Sequence, residues 1–216
     1  MLTASPVAEP EMERPPLPGE PQKRRSDWIA EALLQAGLVV LSILLALAVD
    51  EWRDERAKDA RMRAAIRSIH SELTENRREM ERARAYHRAL ADTLQNLSSM
   101  GAPHLPAGAA PQGFLMDSDI VSTAWHSAQA GGVLDDMPHE TVLELARVYH
   151  EQAGYEQRRE ATGQVLYAQM LSVGMDGLLR SYRNLAHIVV DHADMEHRLI
   201  GHYEAALEHL GTPPSH

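Results

Sequence analysis

The sequence predicts an all-α protein. An N-terminal transmembrane helix continues into a long coiled-coil-like helix, which packs with two or three further helices as a bundle. Three observations carry this reading. The run Ile29 to Val49 holds one formal charge, Glu31, in a chain that is otherwise strongly polar. Ala, Leu, Arg and Glu dominate while Phe occurs once, a composition that favours helices. No stretch alternates with period two for long enough to suggest a strand.

Residues 1–27 come first. They contain Pro6, Pro10, Pro15, Pro16, Pro18 and Pro21 with few apolar side chains, too little buried surface to offset the entropy of ordering, so this arm is expected to be disordered. It ends in Lys23-Arg24-Arg25, which serves either as a topology signal or as a contact for anionic head groups.

Residues 28–52 form the expected span. At 1.5 Å per residue the apolar run is roughly 32 Å long, close to a hydrocarbon core of about 30 Å. Trp28 and Trp52 bracket it about 36 Å apart, each placed for a water interface where an indole is stable. A cleaved signal peptide is the alternative, since Ala46-Leu47-Ala48 has the small-x-small form of a cleavage site. The proline-rich leader, the length of the run and Trp52 argue for the span. Glu31 lies within a turn of the edge, where it can reach the interface and favour the helix N-terminus. Gln35, one turn deeper, can hydrogen-bond across a pair of spans.

Residues 53–98 read as one helix, because Asp50 to Ser98 contains neither Gly nor Pro. Met62, Ile66, Ile69, Leu73, Asn76, Met80, Ala83, His87, Leu90, Leu94 and Leu97 follow an unbroken 4-3 spacing, a heptad seam with polar or small residues in its middle. At the flanks, Glu72 and Glu79 would face Arg77 and Arg84 in a parallel homodimer, giving opposite-charge contacts. The other use of the same stripe is packing on the chain's own later helices. Residues 99–117, with three glycines and three prolines, mark a long loop.

Residues 118–210 complete the bundle. A short helix is expected over about Asp119 to Gln129, capped by Asp117 or Ser118 and stopped by Gly131-Gly132. Asp135, Asp136 and Pro138 suit the first turn of the next helix, with Val142, Leu145, Tyr149 and Ala153 inward and an end near Ser172. Gly174 and Gly177 separate it from a last helix, about Leu178 to Leu210. Its inward face is Leu185, Ile188, Met195, Leu199, Tyr203, Ala206 and Leu210. Residues 211–216 form a tail.

Composition also limits function. Without cysteine there is no disulfide framework, thiolate metal site or thiol nucleophile. Residues 50–98 carry 11 basic and 10 acidic side chains, whereas residues 99–216 carry 6 and 15. That acidic half disfavours nucleic acid, whose phosphates need clustered Lys and Arg. Five of the 12 histidines, His187, His192, His197, His202 and His209, lie in the last helix. Five-residue spacing turns each away from the previous one's face, so no metal site is expected; solvated or interface-lining histidines fit better, and a pH-responsive surface is the softer alternative. Trp125-His126 reads as a buried anchor or, less simply, a pocket wall. No nucleophile motif or phosphate-binding loop occurs, so neither catalysis nor a cofactor is expected.

The stretch Ser42-Ile43-Leu44-Leu45-Ala46-Leu47-Ala48-Val49-Asp50-Glu51-Trp52-Arg53-Asp54-Glu55-Arg56 resembles a family of bacterial single-span membrane proteins of uncharacterised activity. In that family the span ends in an Ala-Leu step, a polar pair, Trp, an acid and Arg, followed by a helical domain. Ser122-Thr123-Ala124-Trp125 and the stretch Leu143 to Tyr149 are also similar; members often carry Asn where this chain has Asp50 and Glu51. The resemblance implies architecture only.

The expectation is a non-catalytic scaffold or assembly factor anchored in a bacterial inner membrane. Its partners would be the bilayer and either another protein or a second copy. A ligand- or pH-sensing bundle acting through a separate transducer is the alternative. Arg53, Arg56, Lys58, Arg61, Arg63 and Arg67 after the span outnumber the cations before it, which favours a cytoplasmic domain by count. Lys23-Arg24-Arg25, undiluted by acids, favours a periplasmic one, the orientation adopted here.

Overall fold

The computed structural model describes residues 25–106 and 108–211; the arm to residue 24, with Lys23 and Arg24, the side chains of residues 25–27, Arg25 among them, and most of the tail lie outside the described residues. Among the described residues there are four α-helices and no strand: α1 Arg25–Ser99, α2 Thr123–Ala130, α3 His139–Arg180 and α4 Tyr182–Leu210. A single 3₁₀ turn, Val133–Asp136, stands between α2 and α3. The chain divides into two compact units, one up to Arg53 and one from Asp54.

In the first unit every residue from Trp28 to Val49 is exposed. Leu33, Leu38 and Ile43 lie five residues apart, so successive members turn by about 140° and apolar surface surrounds the helix. A helix that is apolar on all sides requires protein interior or hydrocarbon around it. This one is long and apolar enough to cross a membrane. Its Ser42 hydroxyl donates to the Leu38 carbonyl at 2.8 Å, so that hydroxyl does not depend on water. Trp28, Glu31, Gln35 and Trp52 are all exposed on it.

The second unit is a bundle of α1, α3 and α4, with Ala124, Trp125 and Ala128 of α2 packed against its core. Pairs such as Asn76–Gln152 run in the same chain direction on α1 and α3, whereas Tyr155–Glu196 and His87–Glu196 set α4 antiparallel to both. The heptad seam is the spine of this bundle. Ile69, Leu73, Met80 and Ala83 join Leu145, Val148, Leu199 and Tyr203 in one apolar cluster. Leu90 and Leu94 join Leu105, Tyr182 and Val189 in a second, at the Ser99 end of α1. Ile66 is half-buried against the first cluster. Complete burial of a Leu or Ile contributes about 1.5–3 kcal/mol, so this stripe is the principal source of cohesion. Asn76 and His87 are buried with it.

Four boundaries differ from the sequence expectation. The loop after α1 extends to Ser122, and α2 begins at Thr123 rather than Asp119. Asp117 and Ser118 do not cap it: Asp117 is ion-paired with Arg159 and its Oδ1 also accepts the Ser118 amide. Asp135 and Asp136 occupy the 3₁₀ turn, opened by left-handed Gly132 at φ 66°, so Pro138 sits at the cap of α3 and not in its first turn. Gly174 at φ 71°, ψ 169° is non-helical and breaks α3 close to the expected end at Ser172; what the sequence did not show is a short helical segment that continues from there to Arg180, so that α4 starts only at Tyr182. Ala153 is exposed; Gln152 takes the inward position beside it.

Candidate functional site: a buried polar ladder and an apolar cleft

Three polar residues of the α1 seam and its flank, Glu72, Asn76 and His87, share one task. Each binds backbone of the segment between α1 and α3.

Glu72 begins the ladder. One carboxylate oxygen accepts the Ala124 amide at 2.8 Å and the other accepts the Tyr149 hydroxyl at 2.7 Å. Ala124 lies in the first turn of α2, where amides have no partner within the helix and a carboxylate is favoured by the dipole. Tyr149 in turn stacks on Trp125, ring centroids 5.2 Å apart and planes 14° from parallel. Burial, and next the neighbouring Glu72, push the Tyr149 phenol far above its usual range, so it remains a donor.

Asn76 forms the second rung. Its Oδ1 accepts the Val121 amide at 3.0 Å and its Nδ2 donates to the Val121 carbonyl at 2.7 Å and to Gln152 Oε1 at 3.1 Å. Gln152 Oε1 also accepts from the Tyr203 hydroxyl at 2.9 Å, while its Nε2 donates to Val121 and Glu156. Each amide orientation is thus fixed by partners that can only donate or only accept.

His87 is the third rung. Its Nε2 accepts the Met116 amide at 2.9 Å, and a backbone amide can only donate. The ring is therefore neutral with its proton on Nδ1, which donates to Glu196 Oε1 at 2.8 Å. Tyr155 donates to the same oxygen at 3.0 Å. The His87 and Glu196 side chains have no exposed surface. Glu196 Oε2, His192 Nε2 and Ser118 Oγ are buried without hydrogen-bond partners among the described residues. The His192 ring lies 6.3 Å from His87 and donates through Nδ1 to the Ile188 carbonyl at 3.0 Å. Burial is the main cause that lowers the His192 pKa below its ordinary value.

With zero access to His87 and Glu196, this chemistry is that of an internal fastening. Among the described residues no group of three His, Asp or Glu side chains is placed to hold a metal ion. His187, His197 and His209 are exposed, whereas His192 is buried, which corrects the expectation of a wholly solvated or interface-lining set.

The loop and the end of α3 border an open apolar cleft of about 550 Å³, with Leu105, Phe114, Leu166, Met170, Met175 and Leu178 among its walls. A second cleft of about 480 Å³ shares Leu105 and Leu179 with it and adds His104, Asp176 and Arg180.

The seam positions Ile66, Ile69, Leu73, Asn76, Met80, Leu90 and Leu94 are thus brought together with α3 and α4 of their own chain. The anticipated cross-chain partners are engaged within it: Glu79 with Arg82, and Arg77 with Glu81 at 3.4 Å. Sequence reasoning missed Gln152, Tyr155, His192 and Glu196 as the other half of the ladder. The available signal was polar residues lying in otherwise apolar helical stripes, opposite the polar interruptions of the α1 seam. Compared with protein-family models, curated proteins and solved structures, the chain matches none.

Proposed function

We propose that this chain is a single-span scaffold of a bacterial inner membrane, non-catalytic, with a prefolded helical domain that engages a protein partner. The observation that carries the reading is the uncovered apolar run from Trp28 to Val49, next to a domain that buries its own seam. Hydrocarbon is the solvent that suits such a run. The family resemblance at the span junction supports the bacterial inner-membrane setting. A domain on the periplasmic side is the proposed orientation, from the undiluted Lys23-Arg24-Arg25 cluster.

The partner is a second protein or a second copy. A second copy would use surface other than the seam, for example the span face that carries Gln35. The sealed ladder supports a non-catalytic role, since no solvent-borne substrate reaches His87 or Glu196. The 550 Å³ cleft favours a second reading, a ligand-responsive bundle.

Fractionation tests the main reading. The full chain should remain in the membrane pellet after a high-salt and alkaline wash, and a carboxy-terminal alkaline phosphatase fusion should be active. Recovery of a soluble chain that begins near Val49 would overturn the anchor; a stable but inactive fusion would overturn the orientation. Affinity capture in mild detergent should then return a stoichiometric protein partner or a second copy of the chain, and a chain recovered alone would sink the scaffold reading.

A further inference from the structure

We propose that the two clefts beside the end of α3 bind a single-chain amphiphile, its aliphatic tail in the apolar cleft and its polar head against His104, Asp176 and Arg180. The larger cleft, about 550 Å³, falls within the range of small-molecule sites. Among the described residues none of its lining carries a charge, and the polar side chain there is the Tyr167 phenol. That wall complements a hydrocarbon and disfavours any charged group pushed into it. Met170 and Met175 add flexible thioether side chains that adapt to a bent chain.

The walls are fixed before any ligand arrives. The Leu105 amide donates to the Leu179 carbonyl at 3.2 Å, joining loop to α3 on the ridge between the two clefts. The Tyr86 hydroxyl donates to the Gly113 carbonyl at 2.6 Å, and His87 holds Met116 just beyond Leu115. The lining residues Met170 and Met175 lie on either side of the kink at Gly174. A preformed site spares a ligand the entropy of ordering its own walls.

The ridge Leu105–Leu179 is common to both clefts, so a molecule that crosses it passes from uncharged to charged lining within its own length. Arg180 suits an anionic oxygen, and Asp176 an amine. Neither forms an ion pair among the described residues. A fatty acid and a lysophospholipid share this chemistry: one aliphatic chain with an anionic head. In the lysophosphatidylethanolamine case the amine also meets Asp176.

The test uses the full chain in phosphatidylcholine nanodiscs with two probes, diazirine-bearing palmitic acid and diazirine-bearing lysophosphatidylethanolamine. After irradiation, adducts are mapped by mass spectrometry. Labelling by at least one probe is expected in peptides covering 105–115 and 163–179, and the probe that labels identifies the source. Tyr167→Glu and Met170→Asp should each cut that labelling about tenfold, since each sets a charge against the tail. Tyr167 is 60% exposed, so its variant keeps the fold, which a circular-dichroism melt verifies. Leu143→Asp, at an exposed site on α3, should leave labelling unchanged. Adducts confined to residues 28–52, or cleft labelling unaltered by both charged variants, would overturn the proposal. Either result leaves the membrane anchor untouched, because fractionation reads that separately.

Discussion

Asn76 and His87 occupy positions in the seam where Leu would bury more apolar area, and what they supply instead is directional. Asn76 satisfies both backbone groups of Val121 at once, which no apolar side chain can do. Asn76→Leu should therefore destabilise the domain by about 1–2 kcal/mol, because it removes the acceptor of the Val121 amide and one of the two donors to Gln152 Oε1, while the Val121 carbonyl keeps its bond from Gln152. A denaturant titration followed at 222 nm would measure it, and a neutral result would mean that Val121 finds other partners. His192 gives a pH dependence whose sign can be worked out. Its folded pKa is lowered by burial, so below the unfolded value of about 6.5 the unfolded chain binds more protons. Its contribution to stability is complete above that pH and is lost as pH falls towards and through the folded value. Melting temperature should fall between pH 7.5 and 5, and His192→Leu should flatten the slope; an unchanged slope would assign the effect elsewhere. Legibility at this scale was uneven. The apolar positions Ile69, Leu73, Leu90 and Leu94 were readable from spacing, since period alone places a side chain on a buried face. The roles of Gln152 and Glu196 were not, because a hydrogen bond across helices depends on register, which one strand of sequence does not encode.

At the scale of elements, turn geometry decided what periodicity could not. Gly174 does separate two helical segments, its positive φ being one that glycine adopts readily, but the second segment is short and a further turn at Ser181 precedes α4. The acids Asp135 and Asp136 fit a helix N-terminus by composition, but Gly132 had already opened a tighter turn for them. Gly174→Ala should cost about 1–2 kcal/mol, since its φ of 71° strains any side chain even though open space surrounds the site. Gly177→Ala meets a different obstacle: its new Cβ would lie 2.8 Å from Val173 Cβ, so the kink itself would have to relax. Both variants should raise hydrogen exchange at residues 163–182 while α1 stays protected over 69–94. Loss of protection throughout the domain would show that the kink is part of the cooperative core. The loop over 100–122 was legible as a loop from its glycines and prolines. Its attachment was not, because Tyr86, His87 and Tyr182 hold it through isolated hydrogen bonds to backbone, two at Tyr86 and one at each of the others.

At the scale of the whole molecule, the two units obey different solvents. The apolar run has no protein cover, whereas the domain from Asp54 encloses its seam, its polar ladder and its own connecting loop. Folding of the domain should thus be independent of the span. A fragment covering residues 54–211 should be soluble, helical and cooperative in unfolding, and it should be monomeric by light scattering, because Leu73, Met80 and Leu94 are already fully covered within one chain. A parallel coiled coil would need the same surface twice. If the fragment formed a stable dimer whose seam residues were protected only at high concentration, the intramolecular bundle would be the wrong partner for α1. If it aggregated without folding, the span would be part of the domain's own stability rather than a separate anchor. A folded monomer would leave assembly to the surfaces that remain open, chiefly the span and the exposed Val165, Leu171 and Val173 of α3.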